Sequence, residues 1–292
     1  MSSIIEKTVF DLLRFAATEL PQDVENTIKQ AYEKETNPTA KTQLKAIIDN
    51  FTLATKTRKP MCQDSGILLF YVKAGLESPY LHNLEEEIKK GSIQATKEVP
   101  LRPNAVDIWG AGNSGNNIGH NIPFINYELV PGSDLTITAL PKGGGSENMC
   151  ALGMLKPGEG LKGIKKFVVD TVFNASGRPC PPIVVAVGIG GGSDVAFKIA
   201  KKKLLEPLGK RNENPEVAKM ELELLNALNK LGIGPMGLGG DTSILDIKID
   251  YAHRHPASLP VAVVVQCWAA RRASATISKD GKVTFHTHSK SK

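Results

Sequence analysis

Near residue 60 the sequence changes from helical periodicity to short β-branched runs, and this change limits what the chain can fold into. Before it, apolar residues such as Ile5, Val9 and Leu12 recur at the spacing of a helix that buries one face. After it, β-branched runs alternate with loops that contain glycine and proline, which is typical of strands. We therefore expect an α+β fold, with a helical N-terminal lobe over about 1–58 and a mixed α/β lobe over about 59–292 that carries the functional loops.

Within the mixed lobe, predicted strands and helices follow one another. The strand candidates lie at 67–72, 135–140, 183–187, 244–249 and 261–265. The helix candidates lie at about 83–96, 161–176, 194–205 and 214–231. A hairpin is expected over 273–285, with its turn at Asp280-Gly281. Because there is no internal repeat and no long linker, residues 1–292 are expected to form a single domain.

The charge balance bears on the class of partner. The chain has 36 Lys and Arg against 30 Asp and Glu, a formal net charge of +6. Basic and acidic residues are mixed along the chain, without the recognition helix or the basic and aromatic pattern of nucleic-acid binders. We expect no nucleic-acid partner, and we interpret the excess charge as a general attraction for an anionic substrate.

Neither a membrane span nor a signal peptide is expected. The longest strongly apolar run, at 259–270, has 12 residues, whereas a membrane span needs roughly 18 or more. The N-terminal stretch carries acidic residues inside its apolar part, which signal peptides lack. We therefore expect a cytoplasmic chain.

The cysteines are the next feature that can carry chemistry. There are four, far apart and with no C-x-x-C pair, so neither a zinc ribbon nor thioredoxin chemistry is indicated. An inert thiol in the core is the usual state of such a residue. Cys150 fits that interpretation, because it lies in an apolar stretch that resembles a helix. Cys62, Cys180 and Cys267 instead lie in loops or strand ends framed by proline or basic residues.

The loop around Cys62 places Cys62, Gln63, Asp64 and Ser65 in succession directly before a predicted strand. Consecutive polar and sulfur side chains at a strand entrance suit a functional site better than a core. The alternative is an ordinary turn in which Asp64 bonds to its own neighbouring backbone.

Two glycine clusters could bind phosphate. Three consecutive glycines at 143–145 allow close approach of a ligand and leave amides free for an anion, but no Walker A spacing follows. The cluster at 188–192 follows a predicted strand, but the last position of the dinucleotide fingerprint falls on Ser193. A flexible turn explains the first cluster equally well, and a phosphate- or nucleotide-binding protein without catalytic activity stays open as an alternative.

The remaining loops add thiols and basic groups. Cys180 lies between Pro179 and Pro181, which fix the backbone on both sides of it and help to orient its sulfur. His255 lies before a proline at the mouth of a predicted strand, where a purely structural role is the alternative. Cys267 is followed by Arg271 and Arg272, and arginine suits carboxylates.

Three thiolates from distant loops fit an iron–sulfur cluster that leaves one iron without a protein ligand. Such an iron can act as a Lewis acid on a substrate hydroxyl. These loops resemble the alpha subunit, or N-terminal catalytic region, of class I iron–sulfur hydro-lyases, which include fumarate hydratase and L-tartrate dehydratase. The resemblance covers nearly the whole chain and rests on PMCQDSG at 60–66, RPNAV at 102–106, ELVPGSDLTITALPKGGGSEN at 128–148, MLKPGEG at 154–160, GRPCPPIVVAVGIGG at 177–191, LGIGPMGLGG at 231–240 and ASLPVAVVVQCWAARRA at 257–273.

The resemblance implies a set of site residues. The ligands of a [4Fe-4S] cluster would be Cys62, Cys180 and Cys267. Positions that contact the dicarboxylate would be Gln63, Asp64, Arg102 and Gly145. Asp64 and His255 would handle or orient protons, with a threonine of a beta portion as another candidate for the base. The implied reaction is the reversible hydration of fumarate to L-malate.

The resemblance also implies a partner. One-chain members of the family continue into a C-terminal domain, and this sequence ends at Lys292. We therefore expect a separate beta subunit, a hetero-oligomer with the active site at the interface, and little activity from this chain alone.

Some positions depart from the family pattern. Ser65 stands where threonine is common, the segment 113–119 lacks an acid and a proline, and Asp241 stands where lysine is more frequent. An acid in place of a lysine near a dianionic substrate would change affinity or substrate choice. L-Tartrate dehydration to oxaloacetate therefore stays open beside fumarate hydration, with mesaconate as a third candidate substrate.

Overall fold

The computed structural model describes residues 3–110 and 112–288. Eight helices are assigned within them: α1 Ile4–Thr18, α2 Gln22–Lys34, α3 Pro38–Thr57, α4 Leu84–Glu98, α5 Gly144–Glu147, α6 Gly160–Ala175, α7 Ser193–Lys203 and α8 Pro215–Asn229. Nine strands are assigned within the same residues: β1 Ile67–Gly75, β2 Phe124–Val130, β3 Leu135–Lys142, β4 Ala151–Leu155, β5 Ile183–Gly191, β6 Ile244–Arg254, β7 Leu259–Gln266, β8 Ala273–Ile277 and β9 Val283–Phe285. The fold is α+β with a helical N-terminal region, as predicted.

The chain groups into two compact units whose segments interleave along the sequence. Unit 1 comprises the described residues up to Gln22, the segment Asp49–Gly144 and the described residues from Arg271 onward. Unit 2 comprises Asp23–Ile48 and Gly145–Ala270. A single domain over 1–292, with lobes at about 1–58 and 59–292, stays a prediction.

Unit 1 is built on a five-stranded sheet in the order β2-β1-β3-β8-β9. β2 runs parallel to β1, and the other neighbours are antiparallel. Helix α1 packs on β3, β8 and α4 through apolar residues at helical spacing, among them Val9 and Leu12. These side chains are fully buried in one apolar cluster with Phe70 and Ile137 of the sheet, so the N-terminal helix forms part of the core of unit 1.

Unit 2 is built on a four-stranded sheet in the order β4-β7-β5-β6. β5 runs parallel to β6 and antiparallel to β7. Alternate residues of the central strands, such as Val185 and Val263, pack with residues of α6 and α8 in one apolar cluster. Because side chains alternate across a strand, the positions between them lie on the other face, where α7 packs. Helices therefore cover both faces, which explains why every residue of β7 is buried.

The structure contains the five predicted strands, the four predicted helices and the C-terminal hairpin, each with ends shifted by a few residues. Strands β2 and β4 were not predicted. The helical interpretation of the stretch around Cys150 is wrong, because α5 ends at Glu147 and β4 begins at Ala151. The stretch pairs with β7, with Leu152 and Met154 exposed on one face of β4. Among the described residues, no helix combines the length and the apolar character that crossing a membrane requires.

Candidate active site

The turn that carries Cys62 lies in unit 1 between α3 and β1. It is fixed at its two ends by buried groups. The Met61 N–H donates to the carbonyl oxygen of Ala17 at 3.0 Å, and the Ser65 hydroxyl donates to the carbonyl oxygen of Arg102 at 3.1 Å. Cys62 between them is only partly buried. The turn thus presents its thiol from a fixed backbone.

The Asp64 carboxylate orders this turn and joins it to the glycine loop. One of its oxygens accepts the Gly66 N–H at 2.9 Å, and the other accepts the Gly144 N–H at 2.8 Å. The Asn104 amide lies 3.5 Å from the first oxygen. The local bond to Gly66 is the turn predicted as the alternative to a functional site, while the bond to Gly144 spans 80 residues. Since both oxygens accept backbone N–H groups, the carboxylate has a fixed orientation.

Arg102 belongs to the same part of unit 1. Its carbonyl oxygen accepts bonds from Ser65 and from the buried amide of Asn117, while its side chain is exposed. Gln63, beside Asp64, is also exposed. The structure therefore brings four predicted site residues together in unit 1: Cys62, Gln63, Asp64 and Arg102.

A loop extends from this group, and the sequence interpretation did not single out its residues 107–109. Its base is pinned by Asn104, whose amide donates to the Gly66 carbonyl at 3.0 Å, and by Asn117, whose amide oxygen accepts the Asn104 N–H. Toward its tip, Val106, Ile108 and Trp109 are 62%, 84% and 88% exposed. Large apolar side chains this exposed on a pinned loop mark an interaction surface. We call residues 106–109 the apolar tip.

Two of the predicted cluster cysteines lie in adjacent backbone segments of unit 2. The N–H of Trp268, the residue after Cys267, donates to the Cys180 carbonyl oxygen at 3.2 Å. Cys180 precedes β5 and Cys267 follows β7, and these strands are antiparallel neighbours. The two thiols therefore lie at the same end of the sheet. Cys180 has a φ of 56°, an uncommon left-handed conformation for a residue other than glycine, and its side chain is exposed.

His255 lies at the opposite end of that sheet. It is in the connection between β6 and β7, and β7 then runs for eight residues before Cys267. At about 3.4 Å per residue, the strand separates its ends by about 24 Å. The Nδ1 atom of His255 accepts the Ala257 N–H at 3.1 Å, so a neutral ring carries its proton on Nε2. Within one chain, His255 does not join the Cys180 and Cys267 segments.

Gly145 lies in unit 2, in the short helix α5. A Cβ atom built on it would lie 3.9 Å from the carbonyl oxygen of Arg178. This leaves ordinary contact space, and the residue itself is exposed. Arg178 is two residues before Cys180, so Gly145 approaches the loop that carries this cysteine.

The cysteine side chains lie outside the fully buried core. None of the four cysteines is buried. Cys150 accepts the Val265 N–H at 3.4 Å and is partly buried. In the described part of the chain, no three His, Cys, Asp or Glu side chains converge on a position for one metal ion. The thiolates of a cubane cluster each bind a different iron, so they surround the group instead of converging on one ion.

The glycines at 188–192 serve close packing. A Cβ atom on Gly188 would lie 2.0 Å from the carbonyl oxygen of Ala196 in α7, and one on Gly190 would lie 2.0 Å from that of Ala252 in β6. These distances permit only glycine. The contacts explain the cluster without a phosphate ligand.

Unit 2 also contains a cavity of about 930 Å³ at the His255 end of the sheet. It lies among α6, α8 and the ends of β5 and β6, and His253 and Arg254 line it. None of the three cysteines predicted as cluster ligands does. Lys165 and Glu223 of its lining form an ion pair.

Comparison with known proteins identifies the family. The profile of the family described as "Fumarate hydratase (Fumerase)" matches residues 6–276. The chain belongs to this family. A protein of Methanocaldococcus jannaschii named "Putative L(+)-tartrate dehydratase subunit alpha" is 50% identical over 283 residues, 96% of this chain and 99% of that protein. The L(+)-tartrate dehydratase subunit alpha of Escherichia coli K12 is 35% identical over 288 residues, 98% of this chain and 95% of its own length. The protein of the same name from Shigella sonnei matches to the same extent.

Membership of this hydro-lyase family agrees with the resemblance inferred from the cysteine loops. The match runs from helix α1 to strand β8, so it includes both units. The relatives named above are tartrate dehydratase alpha subunits by name, while the family itself is described by fumarate hydratase.

Proposed function

We propose that this chain is the alpha subunit of an iron–sulfur hydro-lyase that acts on a four-carbon dicarboxylate. The observation that carries the proposal is the hydrogen bond between Trp268 and Cys180, which holds two cysteine segments 87 positions apart in sequence at one end of a sheet. Cys62 lies in a second ordered turn beside Asp64. These thiols thus lie on ordered backbone segments, and none of them is buried.

Cys62, Cys180 and Cys267 would hold a [4Fe-4S] cluster. Three thiolate ligands leave one iron open, and when bound the cluster would supply Lewis-acid chemistry at the substrate hydroxyl. The donor set fits, because none of the three thiols is buried and Cys180 lies in a loop whose flanking prolines restrict its backbone.

The dicarboxylate would be bound by this chain's exposed polar groups. The Arg102 guanidinium can grip one carboxylate through two N–H groups. Gln63 and the backbone of Gly145 are exposed and can donate to the other oxygens. The net charge of +6 adds a general attraction for a dianion.

Asp64 and His255 are the candidates for handling or orienting protons. The two backbone N–H bonds on the Asp64 carboxylate favour orientation, since they hold the turn of Cys62 and Gln63 in place. His255 offers an Nε2–H donor from the other end of the unit 2 sheet. If it acts beside the cysteine segments, a second copy of the chain supplies it, because one strand length separates it from Cys267 in the same chain.

The partner would be a separate beta subunit. The relatives named subunit alpha match this chain over nearly their whole length, which supports a second subunit on a different chain. We assign the apolar tip to this partner. Trp109 and Ile108 combine the residue size and exposure of an interface anchor, and the pinned base of the loop lowers the entropy lost on docking.

L-Tartrate is the first substrate to test and fumarate the second. We would reconstitute the chain anaerobically with iron and sulfide, add its beta subunit, and assay malate, fumarate, mesaconate and both tartrates. The proposal expects loss of water from L-tartrate to give oxaloacetate, at a rate at least about ten-fold above that for D-tartrate. Turnover of malate and fumarate alone would assign fumarate hydration instead. A cluster-loaded pair that acts on none of these substrates would refute the proposal.

A non-catalytic phosphate- or nucleotide-binding protein is the remaining alternative. The sequence evidence for this alternative was the two glycine clusters, at 143–145 and 188–192. Gly188 and Gly190 are explained by packing against α7 and β6, and Gly144 donates its N–H to Asp64. These observations remove the support that the glycine clusters gave to this alternative.

A further inference from the structure

Arg271 is a buried cation next to the Cys62 turn, and the proposed function gives it no role. It is 1% exposed, and its Nη1 atom donates to the carbonyl oxygen of Asp64 at 2.7 Å. It is also four positions downstream of Cys267 in the sequence. The Arg271 side chain thus bonds to the backbone of Asp64, two residues after Cys62. In sequence it also lies close to Cys267.

The surroundings of Arg271 leave its charge incompletely satisfied. Its Nε–H has no acceptor among the described residues, and the acceptor of Nη1 is a neutral carbonyl. Burial of a cation with an unfilled donor costs free energy unless an anion or another acceptor completes its surroundings. An anion held at the turn that Arg271 contacts would be one such group.

The Arg271 guanidinium and the Asp64 carboxylate both lie close to Gly143. A Cβ atom built on Gly143 would lie 3.3 Å from Arg271 Nη2 and 3.2 Å from Asp64 Oδ2. The guanidinium and the carboxylate therefore both border Gly143, a buried residue with no side chain to separate them. Arg271 contacts the Asp64 carbonyl from the interior of unit 1, while the Asp64 carboxylate accepts the Gly144 N–H.

We propose that Arg271 is a positioning residue. It holds the turn of Cys62, Gln63 and Asp64 in its ligand-presenting conformation and stabilises negative charge gathered there. This inference rests on the proposed function, since the anionic thiolate cluster and the dicarboxylate are the groups that would complete its surroundings. It predicts that Arg271 controls how firmly iron is retained and how well substrate binds, in addition to any contribution to folding.

The test compares two variants of Arg271 with one matched control. Arg271→Met keeps much of the apolar volume but removes the charge and the donors, whereas Arg271→Lys keeps the charge and one donor group. Arg14→Gln serves as control, because Arg14 is also in unit 1, forms ion pairs with Asp11 and Glu19 and is not part of the proposed site. Each chain is reconstituted anaerobically, and thermal unfolding of the apo chain, iron per chain and iron release to a chelator are measured. The KM and kcat of the assembled pair are measured separately.

We expect Arg271→Met to fold, to release iron about ten-fold faster than the native chain and to raise KM more than it lowers kcat. Arg271→Lys should recover part of both effects, and Arg14→Gln should behave as the native chain. Equal iron release and equal KM in the native and Arg271→Met chains would overturn the inference. If both Arg271 variants fail to fold, the residue acts in folding and the inference is also overturned. A native chain that takes up no iron refutes the proposed function itself, which separates the two failures.

Discussion

The Asp64 carboxylate accepts the backbone N–H of Gly144 at 2.8 Å across 80 residues of sequence. This bond ties a turn that carries a predicted iron ligand to a glycine loop at the end of β3. The neighbouring Gly143 is buried between the side chains of Asp64 and Arg271. Gly143 therefore packs directly against the Cys62 turn. A side chain at position 143 would crowd the side chains of Asp64 and Arg271.

Gly143→Ala tests whether this packing supports the Cys62 turn. The added methyl group would lie 3.2 Å from the Asp64 carboxylate and 3.3 Å from the Arg271 guanidinium, so both side chains must shift. We expect a cost of about 1 kcal/mol and about five-fold faster iron release. Gly158→Ala is the control, because a Cβ atom there meets nothing within 4 Å. Identical rates of iron release in the two variants would show that the packing at Gly143 does not support the Cys62 turn.

The placement of His255 at the far end of the unit 2 sheet predicts complementation between chains. We expect His255→Ala and Cys267→Ser to be nearly inactive when each is assembled alone with the beta subunit. If a second copy supplies His255, mixing the two variants before assembly restores activity, to about one quarter of the native value for random pairing in a symmetric dimer. A mixture as inactive as its components would place both residues in the site of one chain or remove His255 from the site.

The apolar tip predicts a loss of partner binding on truncation. Trp109→Ser should weaken association with the beta subunit by about 2 kcal/mol, or about 30-fold in Kd. Leu53→Ser is the control, since Leu53 is 60% exposed in the same unit but lies on α3. Iron uptake by the isolated chain should be unchanged in both variants. The assignment fails if Trp109→Ser binds the partner as tightly as Leu53→Ser, and calorimetry measures both affinities.

Asp241 has a structural role that predicts a pH effect. Its carboxylate accepts the Thr36 hydroxyl at 2.6 Å and the Thr36 N–H at 2.9 Å, and these bonds lower the pKa of Asp241 below its ordinary value of 3.8. A lowered folded-state pKa adds stability above the ordinary pKa, and this stability is lost as the pH falls through the folded-state value. The stability difference between the native chain and Asp241→Asn should therefore be constant near neutral pH and shrink below about pH 3.8.

Urea unfolding of the two chains at a series of pH values from 7 to 3 measures this difference. Thr36→Val, which removes only the hydroxyl donor, should show part of the effect. A difference that does not change with pH would contradict the assigned bonds. The sequence interpretation placed Asp241 near the substrate. In the structure its carboxylate is bonded to Thr36, in the connection between α2 and α3.

The sequence predicted features that depend on local pattern. Valine-rich runs such as β5 and β7 were predicted because their apolar residues are continuous. The local backbone bond of Asp64, here to Gly66, was predicted as the alternative to a functional site. Strand β4 was missed because its five residues carry two exposed apolar side chains, which imitate a helical stretch.

Features that depend on tertiary burial could not be predicted in this way. Asp246 and Lys248 alternate with apolar residues in β6, which predicts a solvated face, yet both are 1% exposed. They pair at 3.1 Å, and burial lowers the pKa of Lys248 despite that partner. The distance of His255 from the cysteine segments could not be predicted either. It depends on the order and direction of the strands, which decide at which end of the sheet a loop lies.

The most direct test of the account is the iron and sulfide content of the purified chain after anaerobic reconstitution. We predict about four iron and four sulfide per chain, with absorbance at about 400 nm. We expect Cys62→Ser, Cys180→Ser and Cys267→Ser each to lose most of both, while Cys150→Ser, whose thiol accepts the Val265 N–H, retains them. A native chain without iron, or a Cys150→Ser chain that loses the cluster as fully as the other three variants, would contradict this prediction.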